Sequence, residues 1–93
     1  MSNKKRVHLF ISGTVQGVFF RASTVKKAKK IGVTGWVKNL PDRRVEALLE
    51  GNIEDVDKMI EWLKKGPSSA KVENVEIKEG EYKGEFNNFK IKY

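Results

Sequence analysis

Apolar residues in this chain change their spacing four times along its length, between alternate positions and every third or fourth position, and that order leaves few folds open. "RVHLFIS" alternates Val7, Leu9 and Ile11 with His8, Phe10 and Ser12, the period of a strand with one face inward. From about Phe20 to Ile31, Ala22, Val25, Ala28 and Ile31 recur at helical spacing. Lys26, Lys27, Lys29 and Lys30 fill the outer face, and Gly32 stands where a left-handed cap is expected. "TGWVKNL" and "RVEALLEG" return to alternation around a turn at Pro41 to Arg43, with Val45, Ala47 and Leu49 on one face. Asn52 then offers a cap to a second helix, whose buried stripe is Ile53, Val56, Ile60 and Leu63. Asp55 and Asp57 lie near its positive end, and Lys64, Lys65 and Gly66 close it. "KVENVEIKE" alternates again, "GEYKGE" reads as a polar loop, and "FNNFKIKY" supplies a short last strand carrying Phe89 and Ile91.

Strand, helix, strand, strand, helix, strand is the order of the split βαβ arrangement. The expected fold is therefore α+β, a ferredoxin-like βαββαβ sandwich with an antiparallel sheet and two helices on one of its faces. At 93 residues a second core would be too small to stand alone, so residues 1–93 are expected to form a single domain.

The chain has no cysteine, which excludes a disulfide framework, a thiolate nucleophile and a Cys-based metal site, and fits a reducing compartment; cytoplasm is the expected location. The start, "MSNKKRVHLFIS", is basic but too short in apolar residues for a signal-peptide core or a membrane helix, so no membrane association is expected. Net charge is +7, and its distribution is uneven. Residues 1–41 hold nine basic and no acidic side chains, whereas residues 42–93 hold ten basic and twelve acidic, giving +9 against −2. Such a half attracts small anions or nucleic acid. The lysine and glutamate content also matches heat-adapted surfaces, so a thermostable protein is expected.

The basic half contains "SGTVQGVFFRAS", residues 12–23, between the first strand and the first helix. Gly13 and Gly17 can adopt positive φ without a Cβ penalty, which suits a tight reversal. A glycine-bearing loop entering a helix N-terminus also aims unpaired amides at one point, a ready seat for phosphate or carboxylate. Arg21 can add a bidentate guanidinium contact to the same anion. The pattern is neither the dinucleotide fingerprint GxGxxG nor the nucleotide phosphate loop GxxxxGK[ST].

"GTVQGVFFR", followed by "GWVKNLPDRRVEALLEG" and ending in "FKIKY", resembles the acylphosphatase family, whose hallmark is a G-x-V-Q-G-V-x-F-R loop and a later G-W-V-x-N strand. The resemblance runs over essentially the whole chain in the same order. It implies hydrolysis of a carboxyl phosphate to carboxylate and inorganic phosphate. By the same resemblance, the loop amides of Val15, Gln16, Gly17, Val18, Phe19 and Phe20 bind the phosphate together with Arg21, and Asn39 holds the attacking water. Physical chemistry agrees, because phosphoryl transfer needs the non-bridging oxygens neutralised and the nucleophile held in line. An asparagine orients water but does not take its proton at neutral pH.

The only histidine is His8 and the first acidic residue is Asp42, so the loop half offers no carboxylate for a magnesium ion; no metal and no cofactor are expected. His8 is out of phase with the inward residues and reads as an ordinary sheet-face histidine. Arg43 occupies a position where the family commonly has glycine after Asp42, in a turn that often asks for positive φ.

The alternative reading is an RNA-binding module of the same ferredoxin-like architecture, stacking bases on Phe10 and Trp36 beside Lys38 on the open sheet face. Glu46 and Glu50 share that face by parity and would repel phosphate, and the RNP1 pattern is absent. Trp36 and Trp62 read better as packing residues. A third reading is an interaction module, since acylphosphatase-like domains also occur within larger proteins. The leading expectation is a monomeric enzyme acting on a small acyl phosphate and releasing inorganic phosphate, with no nucleic acid and no membrane.

Overall fold

The computed structural model describes residues 3–93. The strands are β1 (Lys4–Thr14), β2 (Thr34–Asn39), β3 (Val45–Asn52), β4 (Lys71–Gly80) and β5 (Phe89–Ile91); the helices are α1 (Phe20–Ile31) and α2 (Ile53–Lys65). They form one sheet in the order β4-β1-β3-β2-β5. The first four strands are antiparallel to their neighbours, while β5 runs parallel to β2, pairing Gly35 with Phe89 and Val37 with Ile91. The ferredoxin-like sandwich is thus observed, with a mixed edge.

Alternation along the strands sends Val7, Leu9, Ile11, Val37, Val45, Ala47 and Leu49 into one buried cluster with Phe20 and Ala28 of α1 and Val56, Met59, Ile60 and Leu63 of α2. Both helical stripes differ from the expected ones. On α1 the buried residues are Phe20, Thr24 and Ala28, four apart, and Ala22 is exposed. Thr24 tolerates burial because its hydroxyl donates to the Phe20 carbonyl at 2.7 Å. On α2, Met59 takes the inward place and Ile53 is left 40% exposed. Asn52 flanks α2 without capping it through its side chain. Its Oδ1 instead accepts from Lys4 Nζ at 2.7 Å, and its Nδ2 donates to Asp55 at 3.3 Å.

The open face also differs from the sequence expectation. Glu50, expected to stand there as a repelling charge, is fully buried beneath the segment that follows β4. Its carboxylate accepts from Arg6 Nη1 at 2.9 Å and from the backbone amides of Lys83 at 2.8 Å and Glu85 at 3.3 Å. Arg6 also reaches Glu85 at 2.7 Å. Burial alone would raise the Glu50 pKa, but the Lys83 amide, Arg6 and the Glu85 amide outweigh it and hold the carboxyl below its ordinary value of 4.5. These bonds pin residues 83–85, from which the chain turns into β5.

A carboxyl with a depressed native pKa stabilises the fold fully above its unfolded value and loses that contribution as pH falls through the lower folded value. Wild type should therefore lose stability as pH falls below about 4.5. Glu50→Gln should flatten this acid limb and cost about 2 kcal/mol at neutral pH. Urea titrations across pH check this, and superimposable limbs would show that Glu50 is not the group responsible.

Candidate functional site

β1 ends at an irregularity of its pairing that only glycine fits. The register against β4 shifts between Ser12 and Gly13, and a Cβ on Gly13 would sit 2.1 Å from the Lys71 carbonyl oxygen. Gly13 has φ +130° and Gly17 φ +76°, so the chain reverses through residues 15–19 and enters α1 at Phe20. Phe19 precedes the helix in the left-handed region, at φ +61° and ψ +24°, with no side-chain cap. Among the described residues, no backbone carbonyl or side chain accepts from the amides of residues 16–22; the first amide to find a partner is that of Ser23, on the Phe19 carbonyl at 3.0 Å. The unused donors sit at the positive end of α1.

Arg21 lies in the first turn of α1. It forms no ion pair among the described residues; its Cζ lies 5.5 Å from the centroid of the Tyr93 ring. Asn39 is the last residue of β2 and faces the loop across a cavity of about 300 Å³. Val15, Gly17, Phe19, Phe20, Arg21, Ala22, Asn39 and Ile91 line this cavity. Asn39 Oδ1 is buried and has no hydrogen-bond partner among the described residues. A buried acceptor without a partner costs about 1–3 kcal/mol.

The two halves of the site are tied by Gln16. Its Nε2 donates to the Leu40 carbonyl at 2.8 Å and to the Arg44 carbonyl at 2.9 Å, at the base of the β2–β3 hairpin. Ser69, in the connection after α2, donates its hydroxyl to the Val18 carbonyl at 2.7 Å and holds the loop from the other side. The hairpin itself is a three-residue loop, Pro41 to Arg43, closed by Leu40 N on Arg44 O at 2.8 Å and Arg43 N on Leu40 O at 3.2 Å. Arg43 has φ +78°, the conformation glycine adopts most readily, and Asp42 braces the turn by accepting from the Arg44 amide at 3.1 Å and from Arg44 Nε at 2.8 Å.

The family model for acylphosphatases matches residues 7–91. The chain belongs to the acylphosphatase family. It is 52% identical to an acylphosphatase of Syntrophus aciditrophicus, over 96% of this chain and 93% of that one. The structure of an acylphosphatase from Coxiella burnetii superposes with a TM-score of 0.91 at 40% identity, covering 97% of this chain and 94% of the other. A longer relative in structure is T. kodakarensis HypF, at a TM-score of 0.82 and 36% identity, where 96% of this chain covers 12% of that one. These matches favour the acylphosphatase reading over an RNA-binding module.

Of the acylphosphatase residues picked out by sequence, Val15, Gly17, Phe19, Phe20, Arg21 and Asn39 border one cavity, whereas Gln16 and Val18 fall outside its lining. Val15 and Phe20 have their side chains in the core, so only their backbones remain for a ligand. The Gln16 side chain is spent on the hairpin. Sequence reasoning missed Ala22 and Ile91 in the wall and Ser69 behind the loop. Ser69 sits in "GPSS", which reads only as a turn, and Ile91 arrives through a parallel pairing that alternation does not announce.

Gln16→Glu keeps the side chain's shape but turns an acceptor toward two carbonyls. It should destabilise the fold by about 2 kcal/mol or more, and by more than Gln16→Leu does. Equal urea midpoints for the two variants would remove the hydrogen bonds from the explanation. Arg43→Gly should raise stability by about 1 kcal/mol by relieving the left-handed conformation. The measurable result is a melting temperature several degrees higher.

Proposed function

We propose that this acylphosphatase holds the phosphate of a carboxyl phosphate with Arg21 and the amides of residues 15–20, and that Asn39 positions the water that cleaves it. The observation that carries this reading is the pair of groups in one cavity that are unmet among the described residues: a buried acceptor, Asn39 Oδ1, and the Arg21 guanidinium, which has no carboxylate partner there. The amides and Arg21 are donors converging where three non-bridging oxygens need them. Asn39 Oδ1 accepts one hydrogen from water and leaves a lone pair of the water oxygen directed at phosphorus.

The reaction is an in-line displacement. The water oxygen forms the new bond to phosphorus, and the bond from phosphorus to the bridging acyl oxygen breaks. The carboxylate leaves with that electron pair, and the water proton passes to a phosphate oxygen, giving carboxylate and inorganic phosphate. A carboxylate is a good leaving group, so no enzyme base is needed, and no carboxylate or imidazole borders the cavity to act as one. Among the described residues no three His, Asp or Glu side chains gather as a metal-binding group.

The same reading makes the protein a heat-stable cytoplasmic monomer that acts as a single domain on a small molecule, without nucleic acid. The cysteine-free, lysine- and glutamate-rich composition supports the location and the stability. Among the described residues, no helix is long and apolar enough to cross a membrane.

The test follows the ultraviolet loss of benzoyl phosphate in EDTA with wild type, Arg21→Gln and Asn39→Ala. Wild type should turn over, and each variant should lose a hundredfold or more, about 2.7 kcal/mol of transition-state stabilisation. A folded Asn39→Ala with wild-type kcat would rule out water positioning by this side chain. A wild type that stops in EDTA and recovers with magnesium would overturn the metal-free mechanism.

A further inference from the structure

Phe19 is the one residue of the loop whose side chain the fold does not use. It is 80% exposed, and its backbone stands in the left-handed region that a bulky L side chain rarely adopts. It flanks α1 without giving a side-chain cap. The free protein thus carries backbone strain and an aromatic ring in water at the same position, with neither burial nor a hydrogen bond in return. Phe19 nevertheless borders the cavity that contains Arg21 and Asn39.

The remainder of the mouth is apolar in the same way. Exposed Ala22 and half-buried Ile91 line it beside Phe19, and the Tyr93 ring, 94% exposed, lies over Arg21. If the phosphate occupies the donors of the loop, an in-line reaction requires the acyl group to leave on the side of phosphorus opposite the water. Asn39 stands at the end of β2, whereas Phe19 belongs to the loop wall. The cavity's 300 Å³ or so has room for the phosphate, its water and an acyl group, with Phe19 in its wall.

We propose that Phe19, with Ala22 and Ile91, forms an acyl-group subsite that selects flat apolar acyl phosphates, such as aroyl phosphates, over acetyl and carbamoyl phosphate. This deepens and rests on the acylphosphatase reading of the same cavity. An aromatic ring at the rim stacks on a flat acyl substituent and removes apolar surface from water, a gain that a methyl or amino substituent cannot match. The strained backbone at Phe19 holds the ring where the acyl group emerges, and substrate supplies the burial that folding does not.

The experiment compares kcat/KM for benzoyl phosphate and acetyl phosphate in wild type, Phe19→Gly and Phe19→Asn. Both replacements tolerate the left-handed conformation. Any change common to the two substrates reports on the loop amides and cancels in the ratio. The benzoyl-to-acetyl ratio should fall about tenfold in both variants, mainly through a higher KM for benzoyl phosphate. A ratio within twofold of wild type in both variants would overturn the proposal. Binding of benzylphosphonate and methylphosphonate, followed by calorimetry, gives a readout independent of turnover. If wild type hydrolyses neither substrate, the hydrolase reading fails on its own. The subsite then stands if benzylphosphonate binds more tightly than methylphosphonate and Phe19→Gly abolishes the difference, and it falls if the two bind alike.

Discussion

One side chain, Gln16, determines whether the site exists as a unit. A single carboxamide nitrogen supplies two hydrogens to the carbonyls of Leu40 and Arg44, and through them the loop after β1 is fixed to the hairpin that carries Asn39. Without that tie, the loop amides and Asn39 would belong to two separate segments. A displacement of one ångström between them is enough to spoil an in-line attack. The geometry also favours glutamine over other polar residues at that position, because two acceptors must be met by two donors on one planar group.

Sheet topology explains why a loop and a hairpin distant in sequence lie within reach of one side chain. β1 and β2 point the same way with β3 between them, so the ends of both strands emerge at the same edge of the sheet. α1 starts there with its free amides, and the split βαβ connection therefore delivers a positive helix end and a strand terminus to one place. The parallel pairing of β5 with β2 adds Ile91 to the same location. The buried Glu50, far along the sheet, contributes by holding the segment from which β5 begins.

Much of this was legible in the chain because apolar periodicity reports burial directly. Val7, Leu9, Ile11, Val45, Ala47 and Leu49 were all read as inward and are all buried. Arg43 was read as standing in a turn that often asks for positive φ, and its φ is positive. The misreadings occur where tertiary contacts override local pattern. Ile53 looks like the first residue of a buried stripe, but at the end of α2 it overhangs the core, and Met59 occupies the inward position. Glu50 follows the parity of an exposed face, yet a loop of no clear pattern folds over it and meets its charge with two amides and an arginine. For the candidate site, the loop glycines and Arg21 could be named because their chemistry is local, whereas Asn39 was named through the family resemblance. Gln16 was named for its backbone amide alone, since nothing in the sequence shows that its side chain reaches 24 residues ahead.

The short β5 has a consequence for the margins of the sheet. A sheet's outermost strands expose unpaired amides and carbonyls that can template pairing with other chains. On one margin, β4 is studded with Lys71, Glu73, Glu76, Lys78 and Glu79, and a second copy laid alongside would bring these charges together. On the other, β2 carries Trp36 and Val37, and Phe89–Ile91 already occupies its bonding groups. The strand that brings Ile91 to the cavity wall is also a stopper, and a chain in which it detached would show its neighbours an unprotected margin.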